Sequence, residues 1–236
     1  MQDPRRHVVS MSGRDVLFIM AAPHEYGTQL RARIDPLICG VGPVEAAVAT
    51  TMALSLLRQA GGVPDLVFTV GSAGSRRLDH AVVYQMASVS YRDMDASPLG
   101  FEKGVTPFLD EPATIAIPHS IDGIPAASLA TGASIVSGAA YDAIEADMVD
   151  MESFAVLRAA KRFGLPTIGL RGISDGRSEL SRMEDWTDYL HLIDARLASA
   201  LDLFQSQVVA GTFDVAKRPP PTRPTMSGDL SALDHA

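Results

Sequence analysis

Four short runs dense in β-branched and other apolar residues recur along the chain: "VLFIMAA" (16–22), "LVFTVG" (66–71), "ASIVSG" (133–138) and "TIGLRGIS" (167–174). A strand that is apolar on both faces has no side to turn toward water, so it belongs inside a sheet that is covered twice. The stretches between them supply the covers. "PVEAAVATTMALSLLRQAGG" has helical periodicity and ends in a glycine pair, and "ESFAVLRAAKRFGLP" stops at Gly164 with Pro166 beyond it. "SRMEDWTDYLHLIDARLASALDLF" opens on a capping box, Ser181 to Glu184. Its apolar stripe runs Trp186, Leu190, Ile193, Leu197, Leu201, Phe204. Alternation of this kind predicts a three-layer α/β/α domain with a central mixed, largely parallel sheet.

The domain is expected over residues 15–208. Residues 1–14 read as a disordered leader, in which Met11 is an equally good start, and the proline-rich 209–236 as a disordered tail. The segment from about 88 to 130 has scattered Pro, Gly and Asp and weak periodicity, which predicts edge strands and long loops.

Composition narrows the function classes. Twenty basic against 28 acidic residues give a net charge of −8, which argues against nucleic acid or an anionic membrane as partner. Cys39 is the only cysteine, so neither an intrachain disulfide nor a Cys-based zinc site is possible, and the six histidines show no metal-ligand spacing. No cofactor or metal is expected. No apolar run reaches the length of a membrane span, and the twin arginine near the N-terminus lacks the apolar core of a signal. A cytoplasmic protein is expected.

The chemistry-bearing residues stand at element boundaries. In open α/β sheets, ligands bind beyond the carboxyl ends of the strands. Glu25 follows the first run, Ser72 and the small residues Ala73 and Gly74 follow the second, Ser137-Gly138 closes the third, and Ser174-Asp175 ends the fourth. Glu152 opens a helix, where the dipole favours a carboxylate. Parallel strands would bring all these groups to one rim. Taken singly, each is ordinary turn or cap chemistry. "GVGPVEAA" (40–47) lacks the third glycine of a dinucleotide loop, and Ser72, His119 and Asp122 lack the nucleophile elbow of a hydrolase triad.

In combination, "VDMES" (149–153) and "RGISD" (171–175), preceded by "GVGPVEAAVATT", "PDLVFTVGSAGS", "YRDMDASPLGF" and "IVSGAAYD", resemble the nucleoside phosphorylase superfamily. The resemblance spans roughly residues 15 to 205 and is greatest to the 5′-methylthioadenosine/S-adenosylhomocysteine nucleosidases. It implies cleavage of the bond between a purine and ribose. Asp175 would be the general acid at the purine N7, and Glu25 would orient and deprotonate the attacking water, with Ser72 nearby. Glu152 would hold the ribose hydroxyls, Met151 would pack on the ribose, and Tyr141 would lie over the base where the family usually has phenylalanine. The resemblance also implies a homodimer, with Leu99 of the 92–101 loop completing the partner's site. The first family motif is reduced to Glu25 beside Pro23 and His24, and Ala139 replaces a common acid. Phosphorolytic relatives place arginine near the first strand; "AAPHEYG" offers an acid there, which favours water, while Arg76 and Arg77 keep phosphorolysis open.

Overall fold

The computed structural model describes residues 3–177 and 182–213. The strands are β1 (Val8–Met11), β2 (Arg14–Met20), β3 (Leu37–Ile38), β4 (Leu66–Gly74), β5 (Val83–Tyr91), β6 (Thr114–Ala116), β7 (Ala126–Thr131), β8 (Met148–Asp150) and β9 (Thr167–Asp175). The helices are α1 (Thr28–Arg31), α2 (Pro43–Gln59), α3 (Ser153–Arg162), α4 (Met183–Thr187) and α5 (Leu190–Ala210).

Parallel pairing joins β2 to β4 and β4 to β9, as runs buried on both faces require. Alternation along these strands sends side chains to opposite covers. Val16, Phe18 and Met20 pack with Phe68 and Val70 against Leu197, Leu201 and Phe204 of α5. Leu17, Ile19 and Val67 pack against Ala46, Leu54 and Leu57 of α2 and Val156 of α3. Helices therefore lie on both faces of the β2–β4 region. The sheet is nevertheless not the open layer expected. β9 pairs antiparallel with β5, β5 parallel with β7, β7 parallel with β8, and β8 meets β4 through Gly74 and Val149. Five strands thus close a ring, with β2, β1 and β3 extending from β4 and β6 from β5.

Several expectations change. Residues 133–138 are not a strand; the third parallel run is β7, immediately before them. Asp93 accepts a hydrogen bond from the Ala133 backbone beside Gly132, Ile135 is 70% exposed, and the chain turns into a 3₁₀ segment, Gly138–Ala143. β5 carries no apolar run, yet it lies within the ring. Its buried Gln85 donates to the Ile121 and Ile124 carbonyls at 3.0 and 2.6 Å and accepts from the Ile121 amide at 2.7 Å. Those bonds make a polar residue tolerable there. The leader also differs from expectation: Pro4–His7 forms a 3₁₀ turn and β1 pairs antiparallel with β2. The single C-terminal helix expected over 181–204 is two, α4 and α5. Ser181 of its proposed capping box, and nearly all of the proline-rich tail, lie outside the described residues. No helix among the described residues is long and apolar enough to cross a membrane.

Candidate functional site

The carboxyl ends of β2, β3, β4 and β9 lie at one edge of the sheet, and the acids gather there. Glu25 sits in a 3₁₀ turn, Pro23–Glu25, just past β2 and is 6% exposed. Its Oε1 accepts from the Ser72 amide at 2.6 Å and the Ser72 hydroxyl at 2.7 Å, and its Oε2 accepts from the Ala22 amide at 3.2 Å. Trp186 of α4 donates its indole N–H to Ser72 Oγ at 3.0 Å. Gly71 makes this approach possible, because a Cβ there would stand 3.0 Å from Glu25 Oε1. The chain after Glu25 is pinned from α5. Buried Asp194 accepts from the Gln29 and Leu30 amides at 2.9 and 3.0 Å, capping the start of α1. Nothing in the sequence pattern singles out Asp194.

Glu152 is the residue before α3, but its side chain does not cap that helix. Its Oε1 instead accepts from the Gly42 amide at 2.8 Å, in the glycine turn beyond β3. Burial pushes its carboxyl up to about 7, with the nearby Asp150 and Glu25 adding in the same direction. Cys39 lies against the same pair: burial first, then the Glu152 and Glu25 charges, push its thiol up to about 12. Glu25 and Glu152 are therefore close enough to sense one another. Met151 is half-buried between β8 and α3.

Asp175 reaches this edge through a register shift. β4 and β9 pair residue for residue up to Ala73 and Ile173, after which Gly74 faces Asp175 and Ser174 is left over. One extra residue flips the remainder of the strand to the other face, so Asp175 comes onto the same face as Ser72 and Gly74. Without the shift it would point away. Ser174 donates to Asp175 Oδ1 at 2.5 Å. Burial raises the Asp175 carboxyl above the ordinary aspartate range, against the lowering effects of Ser174 and His80. A Cβ on Gly74 would collide with Tyr141 Oη and lie 2.7 Å from Asp175 Oδ2. Glycine thus lets the phenol and the acid close over the strand.

Not every expected residue joins them. The Ala73 methyl packs in the apolar cluster with Met86, Val89 and Ile173, on the opposite face from Ser72. Leu99, expected at a partner subunit's site and not at this one, is 79% exposed in the turn Ser97–Leu99. His119 lies against the Phe213 ring, 6.3 Å between centroids, while the Ser72 hydroxyl is engaged by Glu25 and Trp186. Arg76 is held by Asp142 at 2.5 Å and by the Gly138 carbonyl, and Arg77 donates to the Glu145 carbonyl at 2.9 Å. Both belong to the wall of a cavity of about 220 Å³ that Tyr141 also lines. A larger groove, about 460 Å³, runs between α2 and the first turn and contains none of the three acids of the rim. Among the described residues, no three His, Cys, Asp or Glu side chains are grouped to hold a metal ion.

Sequence reasoning missed the polar core under the site. Arg171 (3% exposed) donates to Asp150 Oδ2 from Nε at 3.2 Å and Nη2 at 3.0 Å, to Thr69 Oγ1 at 2.9 Å and to Ser153 Oγ at 2.6 Å. The signal was present, because a charged residue inside an apolar strand run requires a buried partner.

The chain is similar to known proteins in sequence and in fold. The 5′-methylthioadenosine/S-adenosylhomocysteine nucleosidase of Haemophilus influenzae (strain PittEE) is 31% identical over 156 residues, 58% of this chain. The match spans 66% of that protein, just under two thirds of its length. Among solved structures, futalosine hydrolase of Helicobacter pylori superposes with a TM-score of 0.68 at 20% identity, covering 81% of this chain and 98% of the other. A 5′-methylthioadenosine/S-adenosylhomocysteine nucleosidase from Neisseria meningitidis, in complex with methylthio-immucillin-A, gives 0.65 at 21% identity, with 81% and 98% covered. The family model described as the Phosphorylase superfamily matches residues 36–204, from the start of β3 through most of α5, and the chain belongs to that superfamily.

Proposed function

We propose that the protein hydrolyses the N-glycosidic bond of a purine nucleoside, with 5′-methylthioadenosine and S-adenosylhomocysteine as the leading substrates. The observation that carries the reading is that two acids converge on the carboxyl end of β4, Glu25 over Gly71 and Ser72 and Asp175 over Gly74. Glu25 is anchored by donors at both oxygens beside Ser72, and Asp175, two residues farther along, is biased toward its protonated form by burial. A purine anion leaves poorly from C1′. Protonation at N7 by Asp175 lets the base depart neutral. Glu25 takes a proton from the water that adds to C1′ as the C1′–N9 bond breaks. The carboxylate of Glu152 faces a sugar that becomes cationic in the transition state, so its stabilisation is greatest there. The named relative supports the choice of substrates.

Water is favoured over phosphate as acceptor. Arg76 and Arg77 are committed to an acid and to backbone carbonyls, Arg171 to Asp150, and Glu25 would repel a phosphate at the position of attack. A homodimer fits the exposed apolar residues Val44, Val48 and Met52 on one side of α2, and Leu99 on its projecting turn. Such patches mark association surfaces.

Adenine release from methylthioadenosine, S-adenosylhomocysteine and adenosine, each with and without phosphate, tests the reaction. Phosphate-independent release is expected, and strict dependence on phosphate would move the protein to the phosphorylases. Asp175→Asn and Glu25→Gln should each lower kcat by about 10²–10⁴. Near-normal turnover by either variant removes that residue from its role.

A further inference from the structure

The hydrolytic mechanism assigns no role to the Tyr141 hydroxyl, and a phenol whose oxygen reaches the edge of the base stands beside the ring plane, not over it as the resemblance implies. Tyr141 is only 7% exposed. Its Oη is buried without a hydrogen-bond partner among the described residues. A buried phenol normally finds a partner, because leaving it unpaired is costly. The unpaired oxygen is also aimed. It abuts Gly74, and Asp175 Oδ2 abuts the same glycine. Asp175 Oδ1 is occupied by Ser174, so Oδ2 and the Tyr141 hydroxyl are two polar groups that close on one spot over Gly74. The nearby Arg76 guanidinium, 5.7 Å from the Tyr141 ring centroid, is turned to Asp142 and Gly138 and does not satisfy the hydroxyl.

Adjacent groups on one edge of a purine match such a pair. N7 accepts, and the neighbouring substituent at C6 is a donor when amino and an acceptor when oxo. We propose that the Tyr141 hydroxyl binds the C6 substituent of the base while Asp175 engages N7, and that this site takes 6-oxopurines as well as 6-aminopurines. A carboxyl shared between N7 and C6 must match its protonation to the substituent. A phenol needs no such match, because it donates and accepts at one atom. It accepts from an amino group or donates to an oxo group by rotating its O–H. Base choice in this chain is accordingly wider than one carboxyl reading both positions would allow. The inference rests on the nucleoside reading of the site, and its test is independent of turnover.

The test is a binding cycle by calorimetry with three free bases, adenine, hypoxanthine and unsubstituted purine, on the wild type and on Tyr141→Phe. The wild type should bind adenine and hypoxanthine each at least about tenfold more tightly than purine, the range in which a hydrogen bond to a buried group contributes. Tyr141→Phe should reduce both preferences by about tenfold. A general loss of packing around the base, or a smaller folded fraction, moves all three affinities together and leaves the ratios unchanged. Equal ratios in the two proteins, or a wild type that binds only adenine, overturn the inference. A wild type that binds the bases but releases none from nucleosides refutes the hydrolytic reading and leaves the cycle readable. Normal hydrolysis with unchanged ratios refutes the Tyr141 role alone.

Discussion

Asp150 and Glu152 stand two residues apart, are 7% and 8% exposed, and have opposite surroundings. Asp150 receives donors from Thr131 Oγ1 at 2.6 Å, Ser153 N at 3.0 Å, Ser153 Oγ at 2.5 Å and two nitrogens of Arg171. Glu152 receives the Gly42 amide. The first carboxylate is fully compensated by its neighbours and ties β7, β8, β9 and the start of α3 together. The second is under-supplied, and burial beside another acid raises it to about 7. Burial alone therefore does not separate these two acids; the fraction of lone pairs already taken does. An acid saturated by the protein has nothing to offer a ligand, whereas one held by a single amide gains from every hydroxyl that arrives.

The largest test of this contrast is Arg171→Met. Removing one partner of a buried ion pair leaves an uncompensated charge, which costs about 3–5 kcal/mol. Urea denaturation should show that loss. A variant within 1 kcal/mol (on the order of an ordinary single hydrogen bond) of the wild type would mean that Asp150 is not dependent on Arg171.

Glu152→Gln should act in the opposite direction, and in a pH window. The folded-state value of about 7 lies above the ordinary 4.5. The native state therefore holds the proton more firmly than the unfolded chain. Stability is greatest below pH 4.5 and falls as pH rises through about 7. Glutamine keeps the bond from Gly42 and cannot ionise. At pH 8 the variant should be more stable than the wild type by on the order of 2–3 kcal/mol, with the difference vanishing near pH 4.5. The same variant should lose kcat more than KM. A stability difference that does not change with pH would show that Glu152 is as well supplied as Asp150.

How much of this was readable from the chain depends on where the partners lie. β2, β4 and β9 announce themselves through apolar residues on both faces, although the same reading failed at 133–138. Glu25 and Asp175 stand out as acids just past or at the ends of such runs, and Glu152 as an acid that opens a helix. β5 does not, since Gln85 becomes tolerable only through its bonds to the 121–124 turn. The shift that aims Asp175 is likewise invisible: "RGISD" reads as simple alternation, and only pairing with β4 leaves Ser174 over. Closure of the ring depends on β9 meeting β5 and β8 meeting β4 through one residue pair, and no local pattern encodes such long-range pairings. Arg171 stands within the "RGISD" motif, yet its partner lies 21 positions away on a strand three residues long, too short to be recognised by periodicity.

The finest test separates the two acids without removing a charge. Thr131 is fully buried, donates to Asp150 Oδ1 and accepts from the Phe154 amide at 3.0 Å. Valine fills the same volume and does neither. Thr131→Val should cost about 1–2 kcal/mol, the penalty for leaving a buried donor and acceptor short of partners. Asp150 retains its bonds to Arg171 and Ser153, so its effect on Glu152 should persist. Urea melts should register the cost, while kcat and KM for base release stay within about threefold of wild type, a difference under 1 kcal/mol in transition-state stabilisation. A variant of unchanged stability whose kcat fell tenfold or more (roughly 1.4 kcal/mol in the barrier) would reverse the assignment. It would place Asp150 among the groups that feel the substrate, and hydrogen-bond saturation would no longer separate a structural acid from a working one at this rim.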